Sequence, residues 1–296
     1  MKCESNEYNE FKFVSTELVK ILAPLTDNPN APNKYGRTPI FRAACRGHKE
    51  IVKILAPLTD NPNIPKTDGW TPIHWAACFG NTEIVKILAP LTDNPNAPDE
   101  DGKTPIYEAA CFGHTEIVKI LAPLTDNPNV PNEYGWTPIH AASCWGHVEI
   151  IKILAPLTDN LNGPDEHGRT PIHSASRWGH IENVKFLTPL IDNPNVPDEN
   201  GNTPIHEAAR YGKTEIVKIL APLANNPNAQ NQKGNTPIYW AAHNGHAEIV
   251  RILAPLAENP NAPNHKGETP STVTKSAEIC KILTSFNTNQ ASKNFF

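Results

Sequence analysis

Residues 66–98 read KTDGWTPIHWAACFGNTEIVKILAPLTDNPNAP, and this stretch decides the architecture because the chain repeats it. Thr71 before Pro72 marks a helix start: the hydroxyl can cap an orphan amide, and proline suits the first helical turn. Ile73, Ala76 and Ala77 then form one small apolar face, and Gly80 ends the helix by turning left-handed. A second helix begins near Thr82. Ile84, Val85, Ile87, Leu88 and Leu91 make its apolar stripe, with Glu83 and Lys86 on the wet side. Asp93-Asn94-Pro95-Asn96-Ala97-Pro98 reads as an extended, stiffened loop. Asp101-Gly102 opens the next copy.

Working outward, glycine recurs at Gly36, Gly69, Gly102, Gly135, Gly168, Gly201, Gly234 and Gly267, every 33 residues. Thr-Pro follows each one. All 30 prolines fall at four periodic places, so they punctuate a repeat and do not signal low complexity. A unit copied in this way builds a one-dimensional stack. The functional question becomes one of surface, because no copy carries a reactive centre that its neighbours lack.

The pattern G-x-T-P-I-H-x-A-A-x-x-G-H-x-E-I-V-x-I-L closely resembles the ankyrin repeat, from about residue 14 to 284. The resemblance implies an all-α fold of paired antiparallel helices with projecting β-turn fingers, stacked into a curved solenoid. Expected organisation is an N-terminal tail and half-repeat cap over 1–32 and seven full repeats over 33–263. A truncated capping repeat over 264–284 and a disordered tail over 285–296 complete it. The exit from the second helix departs from the family: Ala-Pro-Leu-Thr-Asp-Asn-Pro-Asn replaces the usual glycine and Ala-Asp-x-Asn. Pro90 cannot donate to the Lys86 carbonyl and would crowd it, so this helix is expected to end or kink near Pro90, with Leu91 still packed inward.

A net charge of −5 argues against a general nucleic-acid binder. No apolar run approaches membrane-spanning length. Met1–Glu7 lacks the apolar stretch of a signal peptide, and no Asn-x-Ser/Thr site occurs, which favours an intracellular, cytoplasmic protein. Cys45, Cys78, Cys111 and Cys144 occupy one position in four successive copies. Stacked helices lie about 8–10 Å apart, while bridged cysteines need Cα atoms within about 7 Å. A ladder of free thiols follows, with Cys3 and Cys280 outside it.

His74, His140, His173 and His206 follow Thr-Pro-Ile; His48, His114, His147, His180 and His246 follow the second glycine. Copies of one position are a full repeat apart and cannot converge on a metal. They read as bonds to the finger and the inter-helix loop. Neither a nucleophilic set nor a phosphate-cradling loop stands out, so no enzyme activity, cofactor or metal is expected.

The informative positions are those where copies differ. Phe79, Phe112, Trp145, Trp178 and Tyr211 stand just before the second glycine in consecutive copies. By the resemblance they face the concave groove, together with Trp70, Trp136, Trp75 and Trp240 and the finger residues Tyr35 and Tyr134. Rings of this kind anchor interfaces, or else pack on one another between copies. Arg177 and Arg210 replace the ladder cysteines beside Trp178 and Tyr211. Finger acids, Glu133 and Glu166 among them, would face Lys or Arg of a partner. The expected function is a monomeric, non-catalytic scaffold or adaptor that binds another protein; the alternative is a structural spacer built by repeat expansion.

Overall fold

The computed structural model describes residues 15–293, with side chains to 286. Cys3 and the first fourteen residues of the expected tail and cap lie outside the described residues, as do 294–296. Every regular element among the described residues is helical. Two compact units divide the chain, 1–128 and 129–296.

The first unit contains α1 (Thr16–Leu22), α2 (Pro39–Cys45), α3 (Lys49–Leu55), α4 (Pro72–Cys78), α5 (Thr82–Leu88), α6 (Pro105–Phe112) and α7 (Thr115–Leu121). The second contains α8 (Pro138–Trp145), α9 (Val148–Leu154), α10 (Pro171–Trp178), α11 (Ile181–Leu187), α12 (Pro204–Arg210) and α13 (Thr214–Leu220). It continues with α14 (Pro237–His243), α15 (Ala247–Leu253), α16 (Pro270–Val273) and α17 (Ala277–Lys293). Within each unit the first helices of successive repeats pack side by side: α2 on α4, α4 on α6, then α8 on α10, α10 on α12 and α12 on α14. The second helices likewise pack in series within each unit, α3 on α5 and α5 on α7, then α9 on α11, α11 on α13 and α13 on α15.

Local chemistry sets each boundary. Thr71 is extended (φ −98°, ψ 165°), and its hydroxyl accepts from the His74 amide while Pro72 fills the first turn. Gly80 (φ +72°) leaves the helix left-handed, and a Cβ there would meet the His114 ring at 2.7 Å. The core is Ile73, Ala76 and Ala77 from the first helix against Ile84, Val85 and Leu88 from the second, all essentially inaccessible. Small alanines let the helices approach closely; isoleucine and leucine fill the remaining volume.

The second helix ends at Leu88, and Ala89–Leu91 tighten into a 3₁₀ turn, as the missing amide of Pro90 requires. Leu91 corrects the expectation of inward packing. It is 46% exposed, because the turn directs Ala89 into the core in its place. The loop expected to be extended is instead an Asx turn: the Asn96 amide donates to Asn94 Oδ1 (3.1 Å). Buried Asn96 then accepts from the Ile106 amide (3.0 Å), an orphan donor in the first turn of α6. Asn63 does the same for Ile73, Asn129 for Ile139 and Asn228 for Ile238.

At the C-terminal end, α17 runs through Lys293 and passes the expected repeat end at 284. Thr284-Ser285 stands where other copies carry Ala-Pro or, once, Thr188-Pro189, so no proline stops the helix. At the other end, Leu18 and Leu22 of α1 are 55% and 54% exposed at positions that are buried in α3. No first helix of their own repeat covers them among the described residues.

Candidate functional site

The fingers are held by their leading residue. Asp99 Oδ1 accepts from the Asp101 and Lys103 amides (3.0 and 2.8 Å), and the Gly102 amide donates to the Asp99 carbonyl (3.0 Å). Adjacent fingers are joined by backbone bonds, Glu100 to Asp68 (3.3 Å) in the first unit and Glu166 to Tyr134 (3.0 Å) in the second. Buried His74 ties finger to helix. Its Nδ1 accepts from the Thr71 amide (3.1 Å), which leaves Nε2–H to donate to the Lys103 carbonyl (3.0 Å). Burial lowers the His74 pKa to about 4, despite the Lys103 carbonyl bond, so the ring is neutral at pH 7. His140, His173 and His206 repeat the arrangement. His114 and His180 bond the Cys78 and Cys144 carbonyls of the preceding copy (3.1 and 2.9 Å). These histidines are committed to the scaffold.

The first helices and fingers carry the variable side chains. In the first unit Trp75 stacks on Phe79 (5.1 Å, 3° between planes), meets Trp70 at 5.2 Å and takes Phe41 edge-on at 6.0 Å. Trp70 and Trp75 are half-buried by these contacts; Phe79 and Phe112 remain 47% and 50% exposed. Tyr35 is exposed on its finger, with Lys34 Nζ 4.8 Å from its ring.

Glu108 was not among the expected site residues. It lies on α6 at the repeat position that Trp75 holds on α4. Its side chain is almost fully buried, and neither its Oε1 nor Trp75 Nε1 has a hydrogen-bond partner. Burial pushes the Glu108 carboxyl up to about 7, against the pull of Lys103. A charged residue at an otherwise free helix position was the available signal.

In the second unit arginine alternates with the rings. Arg177 Cζ lies 6.0 Å from the Trp178 centroid and 5.0 Å from that of Tyr211. Arg210 Cζ lies 5.6 Å from Tyr211 and 4.5 Å from Trp240. Arg177 Nη1 also approaches Glu207 Oε2 at 3.8 Å. Burial raises the Glu207 carboxyl, and Arg177 and Arg210 oppose that shift. Trp145 and Trp178 are 62% and 56% exposed and Tyr211 37%, so these rings are not buried between copies. Trp136 has a structural bond: its Nε1–H donates to Asp165 Oδ2 (2.9 Å), which Arg169 also grips (2.9 Å). Tyr134 stands exposed on the same finger.

Finger charge is partly spent internally. Lys66 pairs with Asp68 and Lys103 with Asp101 (2.7 Å), whereas Glu133 and Glu166 are exposed. The ladder cysteines are free thiols. Burial pushes the Cys45 thiol up to about 12 and raises that of Cys144, which keeps both protonated and weakly nucleophilic. No group of three or more metal-binding side chains occurs among the described residues.

Capped helix pairs with bonded fingers, copied every 33 residues, define a class of repeat protein. The family model for ankyrin repeats (3 copies) matches residues 11–99, 57–132, 91–165, 124–198 and 189–264, and the chain belongs to the ankyrin repeat family. No curated protein matches the chain. Ankyrin repeats are generally protein–protein interaction modules and typically non-catalytic. Among the described residues no helix is long and apolar enough to cross a membrane.

Proposed function

We propose that this protein is a monomeric, cytoplasmic scaffold or adaptor that holds a partner protein against its first helices and fingers. The observation that carries the reading is the exposure, 37–62%, of the rings at one repeat position, Phe79 and Phe112 in the first unit and Trp145, Trp178 and Tyr211 in the second. Rings of that size kept in water at one repeat position supply the apolar area that interface anchors need. Exposed Glu133 and Glu166 add charge that sets register and approach rate against Lys or Arg of the partner.

The spacer reading has one observation in its favour: TEIVKILAPL recurs unchanged at 82–91, 115–124 and 214–223. Pull-down from the protein's own cells with wild type and a Trp145→Ala/Trp178→Ala variant separates the two. A scaffold loses its partners with the rings; equal recovery of every partner favours the spacer. Reversing Glu133 and Glu166 to lysine weakens binding if finger charge takes part, and an unchanged affinity removes that element.

A further inference from the structure

The second unit carries more specific recognition chemistry than a generic apolar row. Tyr211 has a guanidinium from each of two successive first helices over its ring, Arg177 from α10 and Arg210 from α12, and Trp178 and Trp240 extend the series on either side. A guanidinium held over a ring is pre-organised and keeps its N–H edge for in-plane acceptors such as carboxylate. Arg210 is exposed and has no carboxylate within ion-pair distance among the described residues. Arg177 has only the long approach to Glu207, whose Oε2 makes no hydrogen bond. Two cations with spare donors therefore stand among half-exposed aromatic rings.

Spacing narrows the chemistry. Packed helices repeat every 8–10 Å or so, and Arg177 and Arg210 are one helix apart. A polyproline II segment has three residues per turn and rises about 3.1 Å per residue, so side chains three apart share one face about 9.3 Å apart. Such segments also dock on aromatic-lined surfaces at low entropic cost. We propose that α10, α12 and α14 hold an acidic, proline-rich segment of the partner, with a carboxylate at every third residue meeting Arg177 and then Arg210, and prolines against Trp178, Tyr211 and Trp240. Glu207 beside Arg177 and exposed Glu166 and Glu199 on the fingers of this unit disfavour a phosphate chain, charged at every nucleotide, more than a segment with one carboxylate in three residues, each met by a guanidinium. The inference rests on the reading of this face as a partner-binding surface and specifies what that partner presents.

The test is fluorescence anisotropy of labelled (Glu-Pro-Pro)₄ titrated with the full-length chain. Saturable binding is expected, at least tenfold weaker in Arg177→Gln/Arg210→Gln, at least threefold weaker in Arg210→Gln alone, and absent for (Lys-Pro-Pro)₄. Circular dichroism checks that both variants keep the wild-type fold; Arg210→Gln carries the test if the double variant does not. The proposal is overturned by no binding, by an affinity unmoved in the folded variants, or by equal binding of (dT)₁₂. Equal binding of a Glu₄Pro₈ peptide, which has the same composition with its carboxylates clustered, overturns the register. If the peptide fails while the pull-down still depends on Trp145 and Trp178, only the occupant's chemistry is wrong. If the pull-down is also independent of those rings, the scaffold reading falls with it.

Discussion

The first helices of the two units start from the same template and solve the packing of their exposed faces differently. In the first unit Trp70, Trp75, Phe79 and Phe41 pack on one another, and a buried carboxyl, Glu108, is left without a hydrogen-bond partner for its Oε1. In the second, arginines at the cysteine-ladder position interleave with Trp178, Tyr211 and Trp240, and Glu207, the repeat equivalent of Glu108, has Arg177 beside it. Arginine in place of the ladder cysteine (Arg177, Arg210), together with Ser174 and Glu207 at the position Trp75 holds, replaces a ring cluster with a cation–ring ladder. The scaffold tolerates it because its core is made elsewhere, from the alanines and the second-helix stripe. Fold and surface chemistry are thus separable here, and most of the difference between the units is surface chemistry.

Acid gives the largest way to break that comparison. The first unit has one buried finger histidine, His74; the second has His140, His173 and His206. Burial lowers all four pKa values, to about 4 for His74, His140 and His206. The unfolded rings protonate below pH 6.5 while the folded ones stay neutral. Their stabilisation is therefore full above about 6.5 and lost as pH falls towards 4, at up to about 1.4 kcal/mol per pH unit for each ring. Hydrogen exchange between pH 6.5 and 4.5 is expected to show the second unit losing protection more steeply. Equal loss in both would mean that these rings do not set the acid limit.

The loop asparagines offer the next contrast. Asn96→Ala removes the acceptor for the Ile106 amide and is expected to cost about 1–3 kcal/mol. Asn162 belongs to the one copy whose loop carries Leu161 in place of proline and Gly163 in place of alanine, valine or isoleucine, and its Oδ1 is already unpartnered. Asn162→Ala is therefore expected to change stability far less. Urea denaturation of both variants measures the gap, and equal costs would mean that the Ile106 bond contributes nothing.

The paired glutamates sharpen the comparison further. Glu108 stays protonated in the fold up to about pH 7, so its contribution is full below about 4.5 and lost as pH rises through 7. Glu108→Gln should stabilise by about 1–2 kcal/mol at pH 8 and do little at pH 5. Glu207→Gln should gain less at pH 8, because the carboxylate there has the arginines for company. Thermal midpoints at the two pH values decide it. The smallest effect is expected for Arg210→Gln, within about 0.5 kcal/mol, as an exposed cation over rings matters more to a ligand than to the fold.

Much of this was legible from one repeat. Thr71, Pro72 and Gly80 mark the boundaries of α4, and Pro90 ends α5 where its missing amide demands. The misreadings came where a local pattern was extended past its cause. Leu91 continued the apolar stripe, yet the 3₁₀ turn sends Ala89 inward. The Asn96 role was hidden because its partner lies ten residues on, inside the next helix. Glu108 escaped notice because burial of a carboxyl depends on the neighbouring helix, which a one-dimensional pattern does not report.

The sequence by itself determined the order, length and caps of the helices and the period of the stack, since proline, glycine and N-cap threonine act on backbone within a few residues. Only the tertiary structure decided which rings stay in water, which cations lie over them and which carboxyl loses its charge. Those outcomes depend on contacts between copies, such as the His74 bond to a carbonyl 29 residues away, and on the access to water that such contacts leave.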